Sequence, residues 1–420
     1  MSEGLAWIDV ALRAARPRVL GALLRYFREL DVAEEAFQEA CLGALKNWPK
    51  NGPPRDPSAW LIFVARNAAI DDKRRRRKEA PLVDEELGAG PAGDIDDEEA
   101  ALADRLDGAH YRDDILRLVF ICCQPDLPAT QQIALALRIV CGLTVKQIAR
   151  AFVVSEAAME QRITRAKGHV AAAGIPFETP DGPARAERLA AVAAVIYLMF
   201  NEGYSATGGE AQTREPLCDE AIRLARLLLR LFQDEPEIMG LLALCLLQHA
   251  RSPARLDADG AIVLLEDQDR GLWNRGAIAE GLALLDKAVR HARPGTYQVQ
   301  AAIAAMHARA ARPEETDWAQ IERLYATLER LQPSPIVTLN RAVAVSKVAG
   351  PEAALAMIEP LAPQLSGYFY FYGVKGALLL QLARAEEARV AFDQAIARAS
   401  TAAEAAHIRM HLDRLREKSR

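Results

Sequence analysis

The stretch TVKQIARAFVVSEAAMEQRITRAKG, residues 144–168, carries two apolar stripes of helical spacing with one interruption. Ile148, Ala149 and Phe152 share one face of a short first helix. The pattern breaks at Val153–Ser155, and Ser155 is a suitable N-cap for a second helix. That helix turns Ala158 or Met159 inward, together with Ile163 and Ala166. Two short helices joined by a tight turn, with small residues where they cross, form a helix-turn-helix. In such a unit the second helix lies in the major groove, with side chains near its N-terminus reading base edges. The outward positions here are Glu156, Glu160, Gln161, Arg162, Arg165 and Lys167. Arg and Gln can hold guanine and adenine edges bidentately. Lys146 and Arg150 on the first helix are placed for phosphates. A plain amphipathic hairpin with a solvated charged face has the same pattern, so the rest of the chain must decide.

Outward from this stretch the composition is that of a helical protein. Ala, Leu and Arg dominate the 420 residues, aromatic residues are 6%, and long alternating runs of Val, Ile and Thr are missing. The expected class is all-α. Residues 1–80 read as one helical unit with a Pro/Gly-rich break at WPKNGPPRDPS (48–58). Residues 81–108 are poor in large apolar groups and rich in Asp and Glu, the composition of a flexible acidic linker. Residues 109–175 form a second unit, and 185–420 a long helical array. Near its end, NRAVAVSKVAGPEAALAMIEPL from Asn340 aligns with KGALLLQLARAEEARVAFDQAI from Lys375. Ala342 then meets Ala377 and Ala353 meets Ala388, with Ile358 against Asp393 as an exception. A period near 34 residues is that of stacked tetratricopeptide-like hairpins, clearest at 335–402.

The net charge of −5 conceals an asymmetry. Lys73, Arg74, Arg75, Arg76, Arg77 and Lys78 are consecutive, whereas residues 81–110 hold ten acids against Arg105. In the first unit, DVAEEAFQEACLGALKNWP predicts a helix with Val32, Ala36, Phe37, Ala40, Cys41 and Ala44 inward. Its other face presents Asp31, Glu34, Glu35, Gln38 and Glu39. After the break, PSAWLIFVARNAAIDDKRRRRK repeats Trp60, Phe63, Val64, Asn67 and Ile70 at helical spacing. These are read as the inward stripe of a helix that ends in the basic run.

An acidic helix, an aromatic-to-basic helix and a distant helix-turn-helix, in that order, resemble the extracytoplasmic-function group of the sigma-70 family. DVAEEAFQEACLGAL looks like their region 2.2, PSAWLIFVARNAAIDDKRRRR like regions 2.3 and 2.4, and GLTVKQIARAFVVSEAAMEQRITRAK like region 4.2. LVFICCQPDL, VIYLMFNEGYSATGGE and the repeats resemble the subgroup with a long tetratricopeptide-like C-terminal extension. The resemblance implies a transcription initiation factor, not an enzyme, that reads −35 and −10 promoter elements and helps melt DNA. It implies core RNA polymerase as partner through the β′ clamp helices and β flap, with Asp31, Glu34, Glu35, Gln38 and Glu39 docking on the clamp. The implied −10 residues are Lys50, Asn51, Arg55, Asp56, Trp60, Arg66, Asn67 and the run Lys73–Lys78, which would grip phosphates in a salt-dependent way. Trp60 and Phe63 fit either a core stripe or stacking on unpaired bases. For the −35 element the implied set is Lys146, Arg150, Ser155, Gln161, Arg162, Arg165 and Lys167. Glu160 departs from a position often basic in the family, and a carboxylate there repels phosphate. The alternative is a helix-turn-helix regulator with a repeat scaffold that never partners polymerase.

Neither a nucleophile with a partnered base, nor a metal-ligand pair on a helix face, nor a phosphate-binding Gly loop is legible, and no cofactor is expected. Six cysteines without a CxxC pair read as buried reduced thiols. No signal segment or bilayer-length apolar run is seen, so a cytoplasmic protein is expected. The acidic linker is read as either a tether or a crude nucleic-acid mimic, and the extension as a regulator in cis.

Overall fold

The computed structural model describes residues 6–52, 54–78, 108–124, 126–152, 154–173, 182–204, 211–257, 263–399, 405 and 408–409. The acidic linker and the 205–210 segment lie outside these. The described residues are helical without a β-strand, as the composition predicts. They divide into two compact units, 1–196 and 197–420.

In the N-terminal unit, α1 (Ala6–Phe27), α2 (Leu30–Asn51) and α3 (Pro57–Lys78) pack pairwise. Ala33, Ala36, Ala40 and Ala44 of α2 are buried, so neighbouring helices approach closely over small side chains. Trp48 closes one end, stacked on Trp7 at 6.0 Å and edge-on to Trp60 at 5.5 Å. A second bundle follows: α4 (Gly108–Cys122), α5 (Ala129–Ile139), α6 (Val145–Ala151) and α7 (Glu156–Ala172). α4 lies along α1, which joins the two bundles into the one unit. Gly21 permits this approach, because a Cβ there would stand 2.9 Å from the Asp114 carbonyl.

α2 runs through Pro49 to Asn51 and ends at Gly52, whose φ of 80° suits glycine. Lys50 and Asn51 therefore sit on the last helical turn rather than in the loop expected at 48–58. The inward stripe of α3 is also rotated from the predicted one. Ala59, Leu61, Ile62 and Ala65 are buried, while Trp60, Phe63 and Val64 are half-buried and Asn67 is exposed. With apolar residues at every position from 59 to 64, periodicity alone could not choose the face.

α8 (Gly182–Tyr204) passes from one unit into the other. Gly203 lies inside its last turn. Beyond are α9 (Ala211–Leu231), α10 (Pro236–His249), α11 (Arg275–Val289) and α12 (Thr296–Arg309). α10 is buried on every side from Ile238 to Leu247, as a helix apolar all round must be. Its Glu237 carboxylate accepts from Tyr297 N, Gln298 N and Gln298 Nε2, each at 3.1 Å. This supplies the N-terminal cap that Gly295 lacks a side chain to make.

The C-terminal helices are α13 (Trp318–Leu331), α14 (Pro335–Val348), α15 (Pro351–Ile358), α16 (Phe369–Gln381) and α17 (Ala385–Ile396). They correct the repeat register. Helix starts recur after 34 residues (335 to 369, 351 to 385), not the 35 (340 to 375) of the sequence alignment. In the shifted register Ala342 aligns with Gly376, Ala354 with Ala388 and Ile358 with Phe392, all of them buried. The Ile358–Asp393 exception disappears. In the run Tyr368–Tyr372, Phe369, Phe371 and Tyr372 enter this core while Tyr370 is exposed.

His307 on α12 carries a pH signature. Burial, followed by the charges of Arg251 and Arg270, lowers its pKa to about 4. The unfolded chain takes up this proton near pH 6.5 and the folded chain does not, so stability is full above that pH and falls towards pH 4. Between pH 7 and 5 the C-terminal unit should lose about 2 kcal/mol through this group. Urea unfolding at the two pH values, wild type against His307→Phe, reads the difference, and an equal loss in both removes His307 as its source.

Candidate functional site

The helix-turn-helix forms as its apolar spacing dictates. Ile148 and Ala149 of α6 are buried against Met159, Ile163 and Ala166 of α7, so Met159 rather than Ala158 takes the inner position. Ser155 Oγ accepts from Ala158 N at 3.2 Å, capping α7. Thr144 and Gln147 cap α6 reciprocally, with Thr144 N donating to Gln147 Oε1 at 2.8 Å and Gln147 N donating to Thr144 Oγ1 at 3.2 Å. Both caps leave helix N-termini facing water, where phosphates can approach. Lys146, Glu160, Gln161 and Arg165 are exposed and Arg162 is half-buried. The Arg150 side chain lies outside those described.

Lys167 does not join that outward row. Its Nζ donates to Asp31 Oδ1 at 2.8 Å and Glu34 Oε2 at 2.5 Å, across to α2. Burial opposes the charge, but the two hydrogen bonds and the charges of Glu34 and Asp31 raise its pKa above the usual lysine range. Glu34, expected on the outward acidic face, is 4% exposed. Its other oxygen accepts from Arg16 Nη2 at 3.0 Å. Arg16 in turn donates from Nε to Ile139 O at 2.8 Å and from Nη2 to Arg138 O at 3.1 Å. These are otherwise unpaired carbonyls at the end of α5. Sequence reading missed Arg16 because its partners lie 18 to 123 residues away.

Apart from the Lys167 contact, the rest of this face of α2 is solvent-exposed. Asp31, Glu35, Gln38 and Glu39 are exposed, and the row continues through Leu42 at 58% and Leu45 at 48% exposure. Leu42 and Leu45 lie on consecutive turns of the same face, so the row ends in a small apolar patch. The spacing 31, 35, 38, 42, 45 was visible in the sequence, but attention to charge hid the apolar half of the row.

The residues assigned to −10 DNA are spread over different roles. Asp56 caps α3, its Oδ1 accepting from Ser58 N at 2.8 Å and Ala59 N at 3.2 Å. Arg66 lies over the Tyr26 ring at 4.6 Å. Trp60 is half-buried against Trp48, whereas Lys50, Asn51, Arg55 and Asn67 are exposed. Lys73–Lys78 form the last turns of α3, and their side chains lie outside those described.

Residues 11–79 match the family model for Sigma-70 region 2, and residues 119–170 that for Sigma-70, region 4. Both regions that these sigma-70 models describe are therefore present in this chain. Sigma-70 proteins are transcription initiation factors that bind core RNA polymerase and promoter DNA, which favours this reading over a regulator that never partners polymerase. Residues 188–289 match a family of unknown function, DUF6596. The chain is also similar to an uncharacterized protein, R00370, of Rhizobium meliloti (strain 1021). The two are 71% identical over 409 residues, covering 97% of this chain and 96% of the relative. Among the described residues no helix is long and apolar enough to cross a membrane, and no cluster of His, Cys, Asp or Glu could hold a metal ion.

Proposed function

We propose that this is an extracytoplasmic-function type sigma factor whose α2 face docks on the β′ clamp helices of core RNA polymerase. The observation that carries the reading is the open row Asp31, Glu35, Gln38, Glu39, Leu42 and Leu45. Acids set the encounter and register with a basic helix, and the leucines supply the desolvated centre where binding energy concentrates. Region 4 contacts the β flap and reads the −35 element with Gln161, Arg162 and Arg165, while Lys146, Arg150 and the Ser155 end of α7 position it on phosphates. Lys50, Asn51, Arg55 and Asn67 face the −10 strand, and Lys73–Lys78 grip flanking phosphates. Asp56, Trp60 and Arg66 support that surface from the helix cap and the half-buried aromatic side. The 34-residue helical hairpins form a tetratricopeptide-like extension that regulates in cis.

Retention of purified core RNA polymerase tests the docking face. The intact chain should bind, and Glu35→Lys or a Leu42→Ser/Leu45→Ser double variant should weaken binding ten-fold or more, on the order expected for a hot spot. Failure of the intact chain to bind removes the docking proposal. Transcription by a chain ended after residue 180 tests the extension, and activity equal to the intact protein excludes regulation in cis.

A further inference from the structure

We propose that α7 doubles as a latch, with Lys167 occupying on α2 the place that a basic residue of the polymerase would take, so that the free factor docks only after the two bundles part. The proposal rests on reading the α2 face as the docking surface. Lys167 bridges Asp31, whose side chain is 75% exposed, and Glu34, which is almost fully enclosed. One acid of the face is thus held at its rim and another beneath it, by a cation 133 to 136 residues distant in sequence.

Three features make the contact part of the fold rather than a chance meeting of surface charges. Arg16 fastens Glu34 to the end of α5 through Ile139 O and Arg138 O. Gly142, at φ 77°, lies where a Cβ would stand 2.8 Å from Arg16 Cδ. On the far side, Gly21 admits the Asp114 backbone, and the buried Asp114 carboxylate faces Arg25 at 3.5 Å and Arg117 at 3.4 Å. The two faces of α7 are separate. Gln161 and Arg165 stay exposed while Lys167 is half-buried towards α2, so the helix can cover the acids without giving up its outward row. Lys167, assigned from the sequence to the −35 set, is by this reading a switch residue.

A partner that needs Asp31 and Glu34 must displace Lys167, and its apparent affinity is lowered by the fraction of molecules that are closed. The test is the dissociation constant of the full chain with core RNA polymerase, without DNA. Lys167→Met retains the aliphatic stem and removes the cation, and should tighten binding about ten-fold. Lys167→Ser should do the same, and Lys167→Arg should stay near wild type. Thermal unfolding of each variant separates opening from loss of fold, since an open but folded N-terminal unit still melts cooperatively. Unchanged or weaker binding of both folded Met and Ser variants, with Glu35→Lys still impairing binding, overturns the latch and leaves the docking face intact. If Glu35→Lys has no effect, the docking reading itself fails and the latch with it.

Discussion

Replacement of Arg16 with Met is expected to destabilise the N-terminal unit by about 3–5 kcal/mol, the range for removing one partner of a buried ion pair. The guanidinium meets a carboxylate, two helix-end carbonyls and the Phe37 ring, whose centroid is 5.0 Å away. Met fills the space but satisfies none of the oxygens, and Lys167 alone then faces the Glu34 charge. The contrast is with exposed pairs such as Arg384–Glu387, whose charges water screens so that they add little to stability. Arg16→Lys keeps the charge, yet one ammonium cannot reproduce the planar fork, and about half the loss should remain. Urea unfolding followed by fluorescence of the Trp7, Trp48 and Trp60 cluster measures this. A loss below about 1 kcal/mol would mean that water reaches the network and the pair behaves as a surface one.

In the C-terminal unit the largest effect is expected at Gly240. A Cβ there would lie 2.6 Å from Gln298 N, a backbone atom at the start of α12. Unlike a flexible side chain, that atom can move only if the helix moves, and Glu237 holds the same turn through four hydrogen bonds. Gly240→Val should therefore cost about 3 kcal/mol by overpacking. Gly43→Val is the comparison, because its Cβ would make ordinary contacts at 3.5 Å and 3.6 Å. Equal midpoints for the two variants would show that α10 and α12 can slide apart at little cost.

The all-α class, the helix-turn-helix and the Ser155 cap were legible because each follows from spacing and local chemistry within a few residues. The repeat was found in the wrong register by one residue. Small Ala residues crowd both hairpins, so matching Ala353 to Ala388 looked as good as the true Ala354 to Ala388. The α3 stripe was misread where apolar residues run without a break. What could not be read at all was the pairing of Arg16, Glu34 and Lys167. Each looks like an ordinary solvated charge on its own helix, and only tertiary packing brings them together. Leu42 and Leu45 were legible in principle, since an amphipathic outward row continues through them.

The glycine at 142 and the charges at 16, 34 and 167 also bear on how such a protein can change over generations. They lie on four stretches of chain, yet each is fitted to the others. A recombinant that takes its second bundle from a distant cousin would inherit Gly142 and Lys167 substitutes chosen for a different Arg16 and Glu34. Such a graft would begin life with an unmatched buried acid, whatever its new second bundle binds. Exchange of promoter preference by shuffling whole bundles is therefore expected to need compensating changes in α1 and α2 at the same time.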